Sequence, residues 1–248
     1  MKNEDEVKEY FKRKGTVAKW WNPTKGDYSY LFQNQLNIIK DWVQKENKNC
    51  CLEVSCGKGR ATMELEFLFK NYLATDISNE MLSLTQENCQ FSKFMIQDAE
   101  NLSIKTESQD CVICLEALVH YPNPQNAIKE FYRVLKPGGA LIIDSDNKYS
   151  ARRLVKKGYQ ILEGSKKQFG QEIFQPYTKK DLMKWIKSSG FEIEIFRYMG
   201  VISPITLHTK EGEIQTLIND KISKKIQMID KIPLIKRFGT YHLILSRK

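Results

Sequence analysis

The chain has no run approaching the ~20 apolar residues that a membrane-spanning helix requires. It has only three histidines in 248 residues. The first absence excludes an integral membrane protein of the helical kind. The second weakens any metal-site reading. Cys111 and Cys114 form the one Cys-x-x-Cys pair, but they fall in an apolar strand-like run, where residues three apart point to opposite faces. No second such pair and no nearby histidine pair completes four ligands. Cys50, Cys51, Cys56, Cys89, Cys111 and Cys114 therefore read as buried, reduced thiols, and no metal is expected. Repeats of fixed period and low-complexity tracts are also missing. Nothing inside the sequence marks a linker, so one α/β domain over residues 1–248 is expected. The N-terminus, Met1 to Lys8, is charged and has no apolar run behind it, so no signal peptide is expected. A soluble, cytoplasmic protein follows as the expectation.

Two phosphate-binding signatures are absent as well: the dinucleotide fingerprint GxGxxG and the loop GxxxxGK[ST]. Charge, by contrast, is plentiful and uneven. The formal net charge is +9. Residues 151–180 hold eight basic side chains and two acids, Glu163 and Glu172, giving +6 of that total. Such a segment attracts nucleic acid, anionic lipid or a phosphorylated acceptor, or is simply a solvated lysine-rich surface.

What is present begins at residue 50. Cys50 to Arg60 reads as a strand followed by a glycine-containing turn, and a helical stretch leads on to Asn71-Tyr-Leu-Ala-Thr-Asp76, a second strand that ends in an acid. Gly57 and Gly59 permit a sharp turn and a close backbone approach that a Cβ would hinder. Asp76 lies 17 residues past Gly59, at a strand tip where a carboxylate can accept both hydroxyls of a ribose. Phe91 to Gln97 is a third strand, followed by Asp98-Ala99-Glu100. Asp110 to Leu115 is a fourth, apolar without alternation, as burial on both faces requires. Pro124 to Leu135 is a helix with proline near its start. Pro137 and Gly138 stop it, and Ala140 to Asp144 opens a fifth strand.

Together, Glu53, the glycine turn, Asp76, Asp98 and the run Arg133-Val-Leu-Lys-Pro-Gly-Gly139 resemble the class I S-adenosylmethionine-dependent methyltransferases, closest to the branch acting on small molecules, glycans and lipids. The resemblance covers roughly residues 48–200, with a final strand at 240–247. It implies a doubly wound, Rossmann-like, seven-stranded, mostly parallel sheet, with S-adenosyl-L-methionine as cofactor. In those terms 1–47 is an N-terminal helical lid and 48–200 the cofactor-binding core, 201–238 is a helical insertion or cap, and 239–248 is the final strand. By the same resemblance Ser55, Cys56, Gly57 and Gly59 face the methionine moiety, and Glu53 hydrogen-bonds indirectly there. Asp76 binds the ribose, Ile77 packs on the adenine, and Asp98 with the backbone of Ala99 holds the adenine edge. Leu115 lines the methionine side. Family members usually carry glycine where this chain has Ser55; serine fits if its φ is negative.

The acceptor side is less marked. His120 follows the fourth strand and is a candidate general base. Trp20, Trp21, Tyr28 and Tyr30 in the lid, and Asp146 and Tyr149 after the fifth strand, are candidate acceptor contacts. Asp144 and Asn147 share that second region. Leu31 to Lys45 has helical spacing. So do Ile214, Leu217, Ile218, Ile222, Ile226 and Ile229, which predict a helix in the insertion, covering the substrate end of the sheet or, less favoured, lying on a membrane surface. No Asn-Pro-Pro-Tyr-like sequence follows the fourth strand, against methylation of exocyclic base amines, and no Pro-Cys pair occurs there, against a cytosine-C5 enzyme. The expected activity is methyl transfer to a small-molecule acceptor at oxygen. Two alternatives stand beside it: an RNA- or tRNA-modifying methyltransferase using residues 151–180, and a non-catalytic S-adenosylmethionine-binding regulator. The oligomeric state is open.

Overall fold

The computed structural model describes residues 9–10, 29–163, 175–201, 205–208, 214–218, 222 and 232–248; for 29–30, 159–163, 205–208 and 214–218 it describes the backbone alone. Five short apolar runs become parallel strands: β1 (Cys50–Val54), β2 (Asn71–Asp76), β3 (Ser92–Ile96), β4 (Gln109–Cys114) and β5 (Leu135–Asp146). β6 (Glu192–Met199) follows, then a hairpin of β7 (Ile205–His208) and β8 (Ile214–Ile218), and last β9 (Tyr241–Arg247). The main sheet has the order β3-β2-β1-β4-β5-β9-β6. β9 runs antiparallel to both of its neighbours. The seven-stranded, mostly parallel sheet expected from the sequence is present.

Helices cover both faces. α1 (Ser29–Val43) lays Leu36, Ile39 and Val43 on one face, against Cys51, Cys111 and Ile142. On the other face, α4 (Pro124–Val134) contributes Ile128 and Phe131, and α6 (Lys179–Ser188) contributes Leu182 and Ile186, against Leu52, Val112 and Leu141. Between these elements lie α2 (Thr62–Leu65), α3 (Asn79–Gln86) and α5 (Ala151–Glu163). Cys111 belongs to the first core and Cys114 to the second, so the pair straddles the sheet. Among the described residues no His/Cys/Asp/Glu group suits a metal, and all six cysteines are free.

Local chemistry accounts for the boundaries. Thr178 caps α6 in a reciprocal box with Asp181. α4 has proline in its first turn and ends at Val134, with Leu135 already extended (φ −71°, ψ 139°). β5 therefore starts at Leu135, five residues before the expected Ala140, and bulges where Lys136 to Gly139 stand opposite Asp110. Arg133 explains its own place in the motif. Its guanidinium donates to the carbonyls of Leu102 and Ile104 at 2.8 Å each and pairs with Glu130, fastening the loop after β3.

One expectation is corrected. The helical insertion over 201–238 holds, in its described first half, the antiparallel pair β7–β8. Between residues 201 and 231, the described residues are helical only at Ile222. Ile205-Thr-Leu-His and Ile214-Gln-Thr-Leu-Ile are rich in β-branched residues, which lose rotamer freedom in a helix and suit a pleated surface. Ile226 and Ile229 lie outside the described residues.

The strand order reverses between β1 and β4, and a crevice opens there beyond the carboxyl ends of the strands. Its floor depends on Gly59, between β1 and α2. Gly59 has φ 77°, and a Cβ there would stand 2.5 Å from the Thr85 methyl on α3. Gly59→Ala is expected to destabilise the protein by about 2–4 kcal/mol through left-handed strain and overpacking. Urea denaturation of Gly59→Ala alone and combined with Thr85→Ser checks this: the second change should recover part of the loss.

Candidate active site

The turn after β1 is held in left-handed backbone at three points: Ser55 (φ 60°), Gly57 (φ 58°) and Gly59. Ser55 does not take the negative φ expected of it. A non-glycine residue there costs on the order of 1–2 kcal/mol. The side chain has a compensating partner, because Ser55 Oγ lies 2.8 Å from the Tyr121 hydroxyl. Tyr121 in turn lies 3.2 Å from Cys114 Sγ at the end of β4. A short polar chain thus joins the β1 turn to the β4 end within the buried wall of the crevice.

Asp76, at the tip of β2, is buried. Its Oδ2 accepts from Gly57 N and its Oδ1 from Ser78 N, both at 2.9 Å. Burial pushes its carboxyl above the usual range, opposed by these backbone bonds. A carboxylate offers about four acceptor positions, so two remain after the backbone is satisfied. Glu53, in β1, is also buried. Its Oε2 accepts from Thr62 at 2.6 Å and from the Tyr72 hydroxyl at 2.9 Å. Desolvation nonetheless raises its carboxyl to about 7. At the end of β3, Asp98 Oδ1 accepts from Glu100 N at 2.9 Å.

The opposite wall ties α1 to the strand ends. The Arg60 guanidinium stacks 3.4 Å above the Phe32 ring centre and pairs with Glu116. Asp144, fully buried in β5, accepts from Gln35 Nε2 of α1 and from Glu116 N. Burial and the nearby Glu116 charge push Asp144 well up. Asp146, two residues on, is raised to about 7 by burial and Glu116, with Arg152 and Arg153 pulling the other way.

One cleft gathers most of the expected residues. Glu53, Ser55, Cys56, Gly57, Asp76, Ile77, Asp98, Ala99, Leu115 and His120 all line it. Gly59 does not line it; its role is the contact with α3 just described. Asp146 and Tyr149 are not among the lining residues, and Tyr149 is exposed on the surface. Trp20, Trp21 and Tyr28 lie outside the described residues, and of Tyr30 only the helical backbone is described. Sequence reasoning missed Phe32 and Arg60 as cleft residues, and in the Glu116–Pro122 segment after the fourth strand it assigned a role to His120 but none to Glu116 or Tyr121. Arg60 directly follows the glycine turn and could have been flagged on that ground; Phe32 meets the cleft only through long-range packing.

A left-handed turn after the first strand, a carboxylate at the tip of the second and a crevice at the strand-order reversal define a doubly wound nucleoside-binding domain. Residues 52–143 match the family described as "Methyltransferase domain". The chain is 25% identical over 181 residues to a ubiquinone biosynthesis O-methyltransferase of Coxiella burnetii, covering 70% of this chain and 77% of that protein. An enzyme of the same name from Methylococcus capsulatus is 25% identical over 198 residues, covering 76% and 82%. Among solved structures, magnesium protoporphyrin IX methyltransferase from Synechocystis PCC 6803 with bound S-adenosylhomocysteine superposes with TM-score 0.68 at 17% identity, covering 99% of this chain and 100% of that one. Residues 52–143 are thus similar to a methyltransferase domain, and the chain shares its Rossmann-like fold with solved S-adenosylmethionine-dependent methyltransferases.

The cleft fits that cofactor. A Cβ placed on Gly57 would meet no atom within 4 Å, so the missing side chain leaves open space against the turn backbone, and the remaining acceptor positions of Asp76 stand beside it.

Two outcomes test the site's electrostatics and strain. Glu53 is raised above its unfolded value, so its contribution to stability is full below about pH 4.5 and is lost as pH rises through about 7. Glu53→Gln should remove a pH-dependent loss on the order of 3 kcal/mol between those limits, read from urea denaturation at pH 5 and pH 8. In a double-mutant cycle, Ser55→Gly and Tyr121→Phe should couple by about 1 kcal/mol; additive stabilities would show that the hydroxyl pair carries no net interaction.

Proposed function

We propose that the protein transfers a methyl group from S-adenosylmethionine to an oxygen of a small-molecule acceptor. The observation that carries this reading is the junction of Asp76 with the Gly57 backbone at the head of a cleft lined by Ile77, Asp98, Ala99 and Leu115. Asp76 uses its two remaining acceptor positions for the ribose hydroxyls. Ile77 presents an apolar face for the adenine, Asp98 accepts from its amino group, and the Ala99 amide donates to its edge. Ser55, Cys56 and Gly57 supply backbone around the methionine moiety, with Leu115 packing opposite. When bound, S-adenosylmethionine supplies a methyl carbon made electrophilic by its sulfonium. The chain's own tasks are then to align the acceptor with that carbon and to take the proton its hydroxyl gives up. His120 takes the proton in this reading, supported by its position in the lining of the same cleft.

Oxygen as the target rests on the two O-methyltransferase relatives. The 1–47 segment acts as a lid in this reading: Phe32 of α1 lines the cleft and Gln35 anchors α1 to Asp144, and Trp20, Trp21, Tyr28 and Tyr30 are the acceptor contacts it would supply. Among the described residues, no helix is long and apolar enough to cross a membrane. Six free thiols agree with a reducing, cytoplasmic setting.

Calorimetry with S-adenosylmethionine and S-adenosylhomocysteine tests the donor side. Saturable binding is expected, and Asp76→Ala should weaken it about 10- to 100-fold through two lost charge-assisted bonds. An absence of binding up to millimolar ligand would refute the assignment. For the acceptor side, label transfer to phenolic and aliphatic hydroxyl acceptors should be seen, and His120→Ala should lower kcat about 10²- to 10⁴-fold while leaving cofactor affinity unchanged.

A further inference from the structure

A compact turn, residues 232–238, precedes β9. Its backbone bonds close on themselves: Ile235 N and Lys236 N donate to Ile232 O, and Phe238 N donates to Ile235 O. Its apolar side chains nevertheless face outward. Leu234 is 74% exposed, Ile232 44% and Ile235 38%. Apolar residues displayed on a short hydrogen-bonded turn suit a boundary between water and lipid.

Charge stands directly beside them. Lys236, in the same turn, lines a cavity of about 360 Å³ together with Lys179, Arg197 and Asn34, and no acid lines it. None of these three cations pairs with a carboxylate among the described residues. Lys179 and Lys180 are the first two residues of α6, where the helix dipole is positive and two cations are unfavourable. An anion in the cavity would offset the unfavourable position of Lys179. The cavity opens at the carboxyl end of β6, since Met199, which lines it, pairs with Tyr241 at the start of β9. The turn is fastened to the same end of the sheet. Asn147, just past β5, donates through Nδ2 to the carbonyls of Arg237 and Gly239, each at 2.9 Å.

We propose that the 232–238 turn and the Lys179–Arg197–Lys236 cavity together form a docking surface for an anionic lipid membrane. Leu234, Ile232 and Ile235 enter the headgroup layer, and the three cations engage lipid phosphates. A free anion would account for the cavity but not for the apolar turn, and a neutral membrane would account for the turn but not for the cavity. The surface lies at the same carboxyl-end face of the sheet as the cleft, so the docked protein turns that end toward the bilayer.

The full chain is sedimented with vesicles of phosphatidylcholine alone and of phosphatidylcholine with phosphatidylglycerol at about 7:3. Binding to the anionic vesicles should exceed binding to the neutral ones at least about tenfold and weaken steeply on raising salt. Leu234→Glu and Lys236→Glu should each cut anionic-vesicle binding about tenfold. Lys93→Glu, at the opposite edge of the sheet on β3, should change it less than about twofold. S-adenosylhomocysteine affinity should be the same in all four proteins, showing that the variants fold. Equal binding to both vesicle types, or to neither, overturns the proposal. So does full retention of binding by Leu234→Glu. Saturable binding of inorganic phosphate or of RNA without vesicle binding overturns it in favour of a free anion or a nucleic acid.

Discussion

The cleft exists because one carboxylate bonds two backbones at once. Asp76 ends β2, yet it holds the amide of Gly57 beyond β1 and the amide of Ser78 before α3. A single buried group thus sets how far apart two strand ends stand and how the intervening turn curls. The rest of the site inherits that geometry. Gly57 and Gly59 take left-handed backbone because the turn must reach Asp76 from above, and Thr85 on α3 closes against Gly59 because α3 starts from Ser78. Losing one of those amide bonds would leave a buried acceptor short of donors, which is costlier than the bond itself is favourable.

A second layer of buried acids surrounds this junction. Glu53, Asp144 and Asp146 all sit at or near the carboxyl ends of central strands, and desolvation raises each of them. They are tolerated because each is satisfied or faced by a specific group: Thr62 and Tyr72 at Glu53, Gln35 and the Glu116 amide at Asp144, and Arg152 and Arg153 near Asp146. The partners come from different elements, so the acids lock helices to the sheet where apolar packing alone would let them slide. α1 is bound twice in this way. Phe32 meets Arg60, Gln35 meets Asp144, and Glu116 joins the two ends of that circuit.

Much of this was legible in the order of residues. Strand β9 falls at the expected residues, and nine expected cofactor contacts and His120 converge on one cleft because the βαβ pattern itself places strand tips side by side. Three things were not legible. Ser55 shows no sign in sequence of a positive φ, since the hydroxyl that compensates it belongs to Tyr121, far along the chain. Phe32 becomes a cleft residue only when α1 folds onto the sheet, and the Arg60 pairing of Glu116 shows only once the β1 turn and the β4 end are side by side. The 205–218 hairpin was read as helix because Ile214 and Ile218 satisfy a four-residue spacing as well as a two-residue one, and side-chain branching, rather than spacing, favours the strand.

The placement of β9 carries a consequence for how the protein is made. β9 lies between β5 and β6, although it comes later in the chain than both. While a ribosome is still building the chain, the inner edge of β5 waits without its partner, and β6 has nothing to pair with. The cofactor-side half, β1 to β5, is complete in its own pairing well before that moment and can form first. The other half closes only when β9 threads into the gap, so the nascent protein passes through a stage with two open, apolar strand edges. That stage is when chaperone contact and misassembly compete most directly with folding.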